Sequence, residues 1–285
     1  MGERGYNYPL PILGRHAGLL LQGVLSEDGA SLCRRATNKM ASIELGDWAL
    51  LEQVQAWGLH LTAVQRHMLE RYLQMVYIAN QRFNLTRVPP EQAVGRHLVD
   101  SLVLLAVDSP PDAARLLDIG TGAGLPGIPL KIARPDLRLT LLDSHGKTVA
   151  FLKEVCEQLN LTDVAIVQGR AEEWAHAPEA REQFDRAVAR AVAQMPILAE
   201  LMLPYVRVGG AALALKGAAE RAEIEQACPA VAMLGGEVEL IERTLTLESG
   251  VVTRLIVRME KRQPCDSRYP RRWSQMLKRP LGVSA

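Results

Sequence analysis

The feature that most constrains the fold is a glycine-rich loop between a short apolar segment and a helical one. Gly120, Gly122 and Gly124 stand at alternate positions directly after the apolar run 115–119. Glycine accepts positive φ and carries no Cβ, so the chain can turn sharply here and a ligand can approach the backbone. Open α/β folds bind ligands at such a turn, at the carboxyl edge of a parallel sheet. The loop therefore predicts both a fold class and the place of a site.

The residues after the loop alternate between strand-like and helix-like segments. Strands are predicted at 115–119, 137–142, 164–168, 184–189 and 211–215, with helices at 126–132, 147–159 and 194–206. Two further strands, 238–247 and 252–260, follow in succession around Glu248-Ser-Gly250, which indicates a hairpin. The pattern predicts an α/β fold with a mostly parallel seven-stranded sheet and a C-terminal antiparallel hairpin.

Four regions are expected along the chain. Residues 1–39 are rich in glycine and proline and predict a poorly ordered extension, so that Met40 is the expected initiator. Residues 40–108 have helical periodicity and predict an N-terminal helical subdomain. Within it, Thr62 is the expected cap of one helix, and residues 91–107 predict another. Residues 109–262 form the predicted core, and 263–285 a basic C-terminal tail. Residues 261–285 contain seven basic side chains and one acidic side chain. This charge fits a tail that contacts phosphates, and it equally fits a solvated, disordered end.

Two cofactor classes use a loop of this kind. Gly122, Gly124 and Gly127 match the spacing of a dinucleotide fingerprint, but the match begins two residues late. Asp118 precedes the first glycine, and its carboxylate would repel a pyrophosphate while favouring the ammonium and sulfonium groups of S-adenosylmethionine. Asp143 closes the second strand, where an acid can accept hydrogen bonds from ribose hydroxyls. These residues favour S-adenosylmethionine over a nicotinamide dinucleotide.

Composition excludes several other classes of protein. The four cysteines are scattered without a Cys-x-x-Cys or Cys/His cluster, so neither a zinc site nor a disulfide framework is expected. No apolar run has the roughly 18–20 residues that cross a membrane. A reducing, cytoplasmic setting without metal or membrane partners is expected. The net charge of +1 does not by itself indicate a nucleic-acid partner.

The residues around the loop carry a more specific resemblance. The run 116–130, with Leu-Pro-Gly-Ile-Pro after the glycines, resembles the bacterial small-subunit rRNA guanine-N7 methyltransferase family (RsmG, also called GidB). Further matching blocks are Asn84-Leu-Thr86, Arg96-His97 with Asp100-Ser101, Leu141-Leu-Asp-Ser144, Arg170-Ala-Glu172, Val188-Ala-Arg-Ala191, Leu215-Lys-Gly217 and Tyr269-Pro-Arg271. The resemblance covers about residues 48–282. The chain departs from the family at Ala189, where serine is usual, and at 273–277, which replaces a Gly/Pro-rich spacer.

The resemblance implies a class I S-adenosylmethionine-dependent methyltransferase fold, which is Rossmann-like, with an N-terminal helical addition. It implies methylation of guanine N7 in the decoding-region loop of 16S rRNA, within the small subunit or an assembly intermediate. Matching motifs place cofactor contacts at Gly120, Leu125, Ala171, Glu172 and Arg190. A methyltransferase for a small molecule or for another RNA would share these residues and remains the alternative.

The chemistry implied by this resemblance needs no general base, because guanine N7 has a lone pair and no proton to lose. Arg190, at the end of the fourth strand, is therefore expected to position cofactor or guanine. His97 and Asp100 lie three residues apart on one helical face, and a structural bond between helix and core is favoured there over a substrate role. Candidates for RNA phosphate contacts are Arg96, Lys216, Arg271 and Lys278, and an ordinary solvated side chain is the alternative at Lys216.

Overall fold

Alternation of buried side chains on the strands builds one mixed sheet with helices on both faces. The structure is a computed structural model, which describes residues 43–282, so the expectations for residues 1–39 and Met40 lie outside the described residues. The strands are β1 Arg115–Ile119, β2 Arg138–Asp143, β3 Val164–Gln168, β4 Phe184–Arg190, β5 Val206–Gly217, β6 Gly236–Leu247 and β7 Gly250–Lys261.

Strand order confirms the predicted fold class. The seven strands lie in the order β3-β2-β1-β4-β5-β7-β6. The first five are parallel, and β7 runs antiparallel to both β5 and β6. This is the class I S-adenosylmethionine-dependent methyltransferase fold that the sequence predicted, closed by its C-terminal hairpin.

The helices cover the two faces of this sheet. They are α1 Ala63–Asn80, α2 Asp100–Val107, α3 Gly127–Ala133, α4 Gly146–Gln158, α5 Ala171–Trp174, α6 Met195–Met202, α7 Arg221–Gln226, α8 Cys228–Met233 and α9 Trp273–Lys278. A 3-10 helix, Trp48–Trp57, precedes α1, and a π-helix, Val94–Val99, runs directly into α2. None of the described helices is long and apolar enough to cross a membrane.

Alternate residues of each strand belong to two hydrophobic clusters. Leu116 and Val188 pack on the face that carries the N-terminal helices, α3 and α4. Leu117 and Ala187 pack on the opposite face, against α6 and α8. Because the N-terminal helices share a hydrophobic core with the sheet, residue 108 does not separate two independent cores.

Local sequence signals explain where the first helices begin and end. Asp47 accepts a hydrogen bond from the backbone of Ala49, and Gly58, with φ +80°, ends the 3-10 helix. Thr62 and Gln65 form a reciprocal capping box at the start of α1, as the predicted cap at Thr62 requires. A single helix was predicted over 91–107. The chain instead forms a 3-10 turn, the π-helix and α2.

Two further differences concern the second half of the chain. Strand β5 begins at Val206 and not at 211, because Val206 pairs with Phe184 before an irregularity at the glycine pair Gly209-Gly210 interrupts the pairing. Gly209 has φ +81°. Two glycines in succession interrupt the alternation of apolar residues that predicts a strand, so the first part of β5 was not predicted. The helices α7 and α8 were not predicted, since each has only six residues and shows little periodicity.

The segment after β7 folds back onto the domain. Arg181 donates to the carbonyl oxygens of Cys265, Asp266 and Tyr269 at 2.8–2.9 Å. Arg271 donates from Nε and from its second terminal nitrogen to the two carboxylate oxygens of Glu200, at 2.8 and 2.7 Å. Glu200 is fully buried, so this pair anchors the predicted tail to α6.

We expect the ion pair between Arg271 and Glu200 to stabilise the folded protein. Arg271→Ala leaves the buried Glu200 carboxylate unpaired, which should lower the free energy of unfolding by about 3 kcal/mol. Lys278→Ala, in the same segment but exposed, should change it by less than about 0.5 kcal/mol. Urea denaturation of both variants measures this difference, and equal stabilities would show that the pair is not an anchor.

Candidate active site

The glycine loop is held in place from below by the Asp118 carboxylate. Asp118 is fully buried, and its Oδ2 accepts hydrogen bonds from the Thr121 hydroxyl at 2.6 Å and the Gly127 amide at 2.8 Å. No group of residues 43–282 donates a hydrogen bond to its Oδ1. Burial raises the pKa of this carboxyl to about 6, although both hydrogen bonds lower it. The contacts of Asp118, which was predicted as a cofactor residue, thus fix the conformation of the glycine loop.

A second carboxylate ties the same loop to the neighbouring strand. Asp143, at the end of β2, accepts the Gly122 amide on Oδ2 at 3.0 Å and the His145 amide on Oδ1 at 2.9 Å. The backbone amides of Gly120 and Thr121 both donate to the carbonyl of Leu142. A carboxylate oxygen can accept more than one hydrogen bond, so these contacts leave capacity for the predicted ribose contact at Asp143.

The three glycines of the loop do different things. Gly122 has φ +53°, and a Cβ there would meet nothing within 4 Å. Gly120 has φ +62°, and a Cβ there would lie 3.0 Å from Val192. Gly124 faces protein, since its Cβ would lie 2.6 Å from Ile128 and 3.0 Å from Leu152. Gly124 lines neither cavity described below, so its missing side chain makes room for the hydrophobic core.

Two cavities meet at the loop. The first cavity, of about 190 Å³, lies at the carboxyl ends of β1, β2 and β3. Its walls are Ile119, Gly120, Leu142, Asp143, Ser144, Gly169, Arg170, Ala171, Glu172, Val192, Leu201 and Trp273. The second cavity, of about 850 Å³, lies between the loop, the π-helix and the ends of β4 and β5. It includes the predicted residues Arg96, Gly120, Gly122, Leu125, Arg190 and Lys216.

Arg190 connects the end of β4 to the π-helix. Its guanidinium donates to the carbonyl of Arg96 at 2.7 Å and lies 3.3 Å from Nδ1 of His97. Since a guanidinium only donates, Nδ1 of His97 must be unprotonated, and its Nε2–H then donates to the Thr86 hydroxyl at 3.1 Å. Burial and the neighbouring Arg190 lower the pKa of His97 to about 3. His97 is therefore a neutral link between loop, helix and strand.

Asp100 is also engaged by the protein. Its two oxygens accept from the Arg254 guanidinium at 2.8 and 2.9 Å, which fastens α2 to β7. The structural interpretation of His97 and Asp100 thus agrees with these contacts, although the two side chains bond to different partners. Sequence reasoning missed Arg254, because nothing in the hairpin pattern distinguishes it from other surface cations.

The predicted phosphate contacts fall into two groups. Lys216 is nearly buried, and its ammonium group donates to Glu220 at 2.8 Å and Glu223 at 3.0 Å. Together with Arg271, which is bound to Glu200, it is already neutralised, so a phosphate contact there would require these pairs to open. Arg96 and Lys278 are exposed and form no ion pair with the described residues.

Other residues of the second cavity were missed as site candidates. Asn84, Thr86 and Arg87 line it from the segment between α1 and the π-helix, and Arg87 is exposed. Asn84-Leu-Thr86 was noticed as a matching block, and this was the available signal. Among the described residues there is no cluster of histidine, cysteine or acidic side chains able to hold a metal ion.

Comparison with known proteins gives a consistent result. The family model described as rRNA small subunit methyltransferase G (GidB) matches residues 65–250. A ribosomal RNA small subunit methyltransferase G of Leuconostoc mesenteroides is 41% identical over 234 residues, which cover 81% of this chain and 97% of that protein. The protein of the same name from Moorella thermoacetica is 43% identical over 226 residues, covering 79% and 93%.

Solved structures are similar at a lower level. The crystal structure of a SAM dependent methyltransferase from Aquifex aeolicus is 16% identical, with a TM-score of 0.43, and covers 58% of this chain and 92% of that one.

The neutral state of His97 predicts a pH dependence of stability. Its pKa is about 3 in the folded chain and near 6.5 when unfolded, so the unfolded state binds the extra proton between these values and stability falls as the pH drops. At pH 5 this loss is about 2 kcal/mol relative to pH 7.5. Asp118, whose pKa is raised to about 6, opposes this loss in both proteins, so urea denaturation at the two pH values should show a loss about 2 kcal/mol larger in the native protein than in His97→Asn. Equal losses in the two proteins would contradict the assignment.

Proposed function

The chain belongs to the rRNA small subunit methyltransferase G family, and we propose that it transfers the methyl group of S-adenosylmethionine to N7 of one guanine in the decoding-region loop of 16S rRNA. The relatives are named methyltransferases of small-subunit ribosomal RNA, which supports methyl transfer to this RNA. The methyl donor, the guanine and its N7 position are the finer part of the proposal.

The juxtaposition of the two cavities at Gly120 is the observation that supports this proposal most. The first cavity combines apolar walls with Asp143 and Glu172, a combination that suits a nucleoside. The second is larger, opens beside the same loop and is bordered by exposed arginines, as a nucleotide substrate would require. A group that spans the loop would therefore reach from one cavity into the other.

The loop also fits the cationic part of the proposed cofactor. The position of Gly122 leaves open space that a Cβ would enter, so the backbone can be approached there. The Asp118 Oδ1, which has no donor among the described residues, and the carboxylate of Asp143 give this region a negative character. An unpaired buried carboxylate oxygen is costly, and a positive charge nearby reduces that cost.

The residues present match a reaction by positioning. S-adenosylmethionine supplies an electrophilic methyl group, and guanine N7 offers an in-plane lone pair with no proton to remove. The protein's part is to hold the two groups in line. Arg190, fixed by Arg96 and His97, is the side chain that borders the second cavity at the strand end, and we assign it to positioning.

The RNA contacts are proposed at the exposed edge of the second cavity. Arg87 and Arg96 are both exposed there, and the side chain of Arg96 has only a weak contact, 3.5 Å, to Gln92. Cations of this kind neutralise phosphates and make RNA binding dependent on salt. A splayed loop would let one guanine enter the cavity while its flanking phosphates stay outside.

A methyl-transfer assay tests the function directly. The protein is incubated with S-adenosylmethionine carrying a tritiated methyl group and with 30S subunits or naked 16S rRNA that lack the modification. Digestion to nucleosides should yield labelled 7-methylguanosine. Primer extension after borohydride reduction and aniline cleavage, which break the chain at 7-methylguanosine, should place it at one nucleotide of the decoding region. Label in another nucleoside, in another RNA or only in small molecules would establish the alternative function. An absence of transfer with intact cofactor binding would contradict the enzymatic proposal.

Substitution of Gly122 should abolish cofactor binding without loss of the fold. Gly122→Val places a branched side chain in the open space beside the loop, and titration calorimetry should detect no binding of S-adenosylmethionine. Gly250→Val is the matched control, because Gly250 also has positive φ and open space, but lies in the hairpin turn. Both variants place a β-branched residue at positive φ, +53° for Gly122 and +104° for Gly250, so backbone strain is present in each. Equal affinities in the two would place the cofactor elsewhere.

Removal of one exposed arginine should weaken RNA binding through the loss of a phosphate contact. Arg96→Ala is expected to lower affinity for 16S rRNA several-fold at low salt and to reduce the slope of log K against log salt by about one. Arg138→Ala is the control, since Arg138 is exposed at the start of β2, away from both cavities. Filter binding over a salt series measures both, and identical slopes would remove Arg96 from the RNA site.

A further inference from the structure

The C-terminal segment supplies one wall of the first cavity. Trp273 opens α9, and its side chain borders the cavity together with Leu201, Val192 and Ala171. The indole is half-buried, so part of it remains accessible from the cavity. The tail was expected to contact RNA phosphate or to be disordered, and neither expectation predicts an aromatic ring at this position.

Contacts on both sides of Trp273 fix its position. Two residues before it, Arg271 binds the buried Glu200 through its backbone amide at 2.7 Å and through its guanidinium. Three residues after it, Met276 is fully buried in a small cluster with Ile197 and Leu201 of α6. The segment is thus held against α6 at two points, and the ring between them has little freedom to leave the cavity.

Arg170 holds the ring from the other side of the site. Its guanidinium carbon lies 5.7 Å from the centre of the Trp273 ring, and its Nε donates to Glu172 at 3.0 Å. Arg170 and Glu172 themselves line the first cavity. A guanidinium over an indole is an attractive contact, because the face of the ring carries negative potential. The ring is therefore linked to the residues that follow β3.

We propose that Trp273 is a positioning residue of the cofactor site, which packs its indole against the adenine of S-adenosylmethionine in the first cavity. This inference rests on the cofactor proposed above. The cavity offers carboxylates for hydrogen bonds and apolar side chains for a base, and an aromatic ring adds the stacking surface that bases prefer.

Replacement of the ring should weaken cofactor binding and leave the chemistry intact. Trp273→Ala is expected to raise the Kd for S-adenosylhomocysteine and the KM for S-adenosylmethionine by on the order of tenfold, with kcat at saturating cofactor and the KM for 16S rRNA nearly unchanged. Trp273→Phe should restore most of the affinity. Leu277→Ala, an exposed residue of α9 that does not line the cavity, should behave like the native protein.

The outcomes separate this inference from the proposed function. If the native protein binds no S-adenosylhomocysteine, the cofactor proposal fails. If it binds and Trp273→Ala binds equally well, only the role of Trp273 is overturned. An increased KM for rRNA with an unchanged KM for the cofactor would also overturn it, and would make the ring part of the RNA surface. Binding as weak in Trp273→Phe as in Trp273→Ala, with native binding in Leu277→Ala, would overturn the stacking contact, because a phenyl ring also offers a stacking surface.

Tryptophan fluorescence gives a readout that does not depend on how well the alanine variant folds. Saturating S-adenosylhomocysteine should change the emission of the native protein by direct contact with one indole. The change should persist in Trp57→Phe, whose side chain packs in the N-terminal region, and should be lost in Trp273→Phe, measured at ligand concentrations that saturate it. Retention of the full change in Trp273→Phe would overturn the contact.

Discussion

The site depends on one buried carboxylate. Asp118 lies beneath the glycine loop and holds both its beginning, through Thr121, and its end, through Gly127. A loop that must expose its backbone to a ligand cannot be stabilised by side chains packed on top of it. Its stability has to come from below, and a charged acceptor with two short hydrogen bonds provides it. The buried Asp118 carboxylate in β1 therefore allows the outer surface of the glycine loop to stay open to a ligand.

Hydrogen bonds near Asp118 join the N-terminal helices to the sheet and to the glycine loop. The Tyr72 hydroxyl, fully buried in α1, donates to the carbonyl of Ala123 in the loop at 2.9 Å. Arg190 and His97 join β4 to the π-helix, and Asp100 and Arg254 join α2 to the hairpin. The helical addition therefore does more than cover apolar surface. It supplies one wall of the second cavity, which includes Thr86, Arg96 and His97.

Periodicity and loop chemistry predicted the fold and the edge of the sheet at which the two cavities lie, but not the partners of individual side chains. The strands from 115 to 168 and the capping residue Thr62 follow from local patterns, which the structure confirms. The assignment of Gly124 rested on spacing alone, and spacing cannot show that Leu152 of α4 approaches it from across the core. Lys216 and Arg271 were predicted as phosphate contacts from their charge. Lys216 is instead paired with Glu223 of α7, and Arg271 with Glu200 of α6, which is distant in the sequence. Such pairings depend on tertiary packing, which a single sequence does not reveal.

The anchored C-terminal segment has a consequence for biosynthesis. The walls of the first cavity come from residues as far apart as Ile119 and Trp273. The glycine loop leaves the ribosome early, while the last wall follows some 150 residues later. A chain that is still being synthesised, or that has been cut short after the hairpin, lacks this wall even if its sheet has formed. The cavity is therefore completed only after Trp273 has been synthesised and its segment has packed against α6.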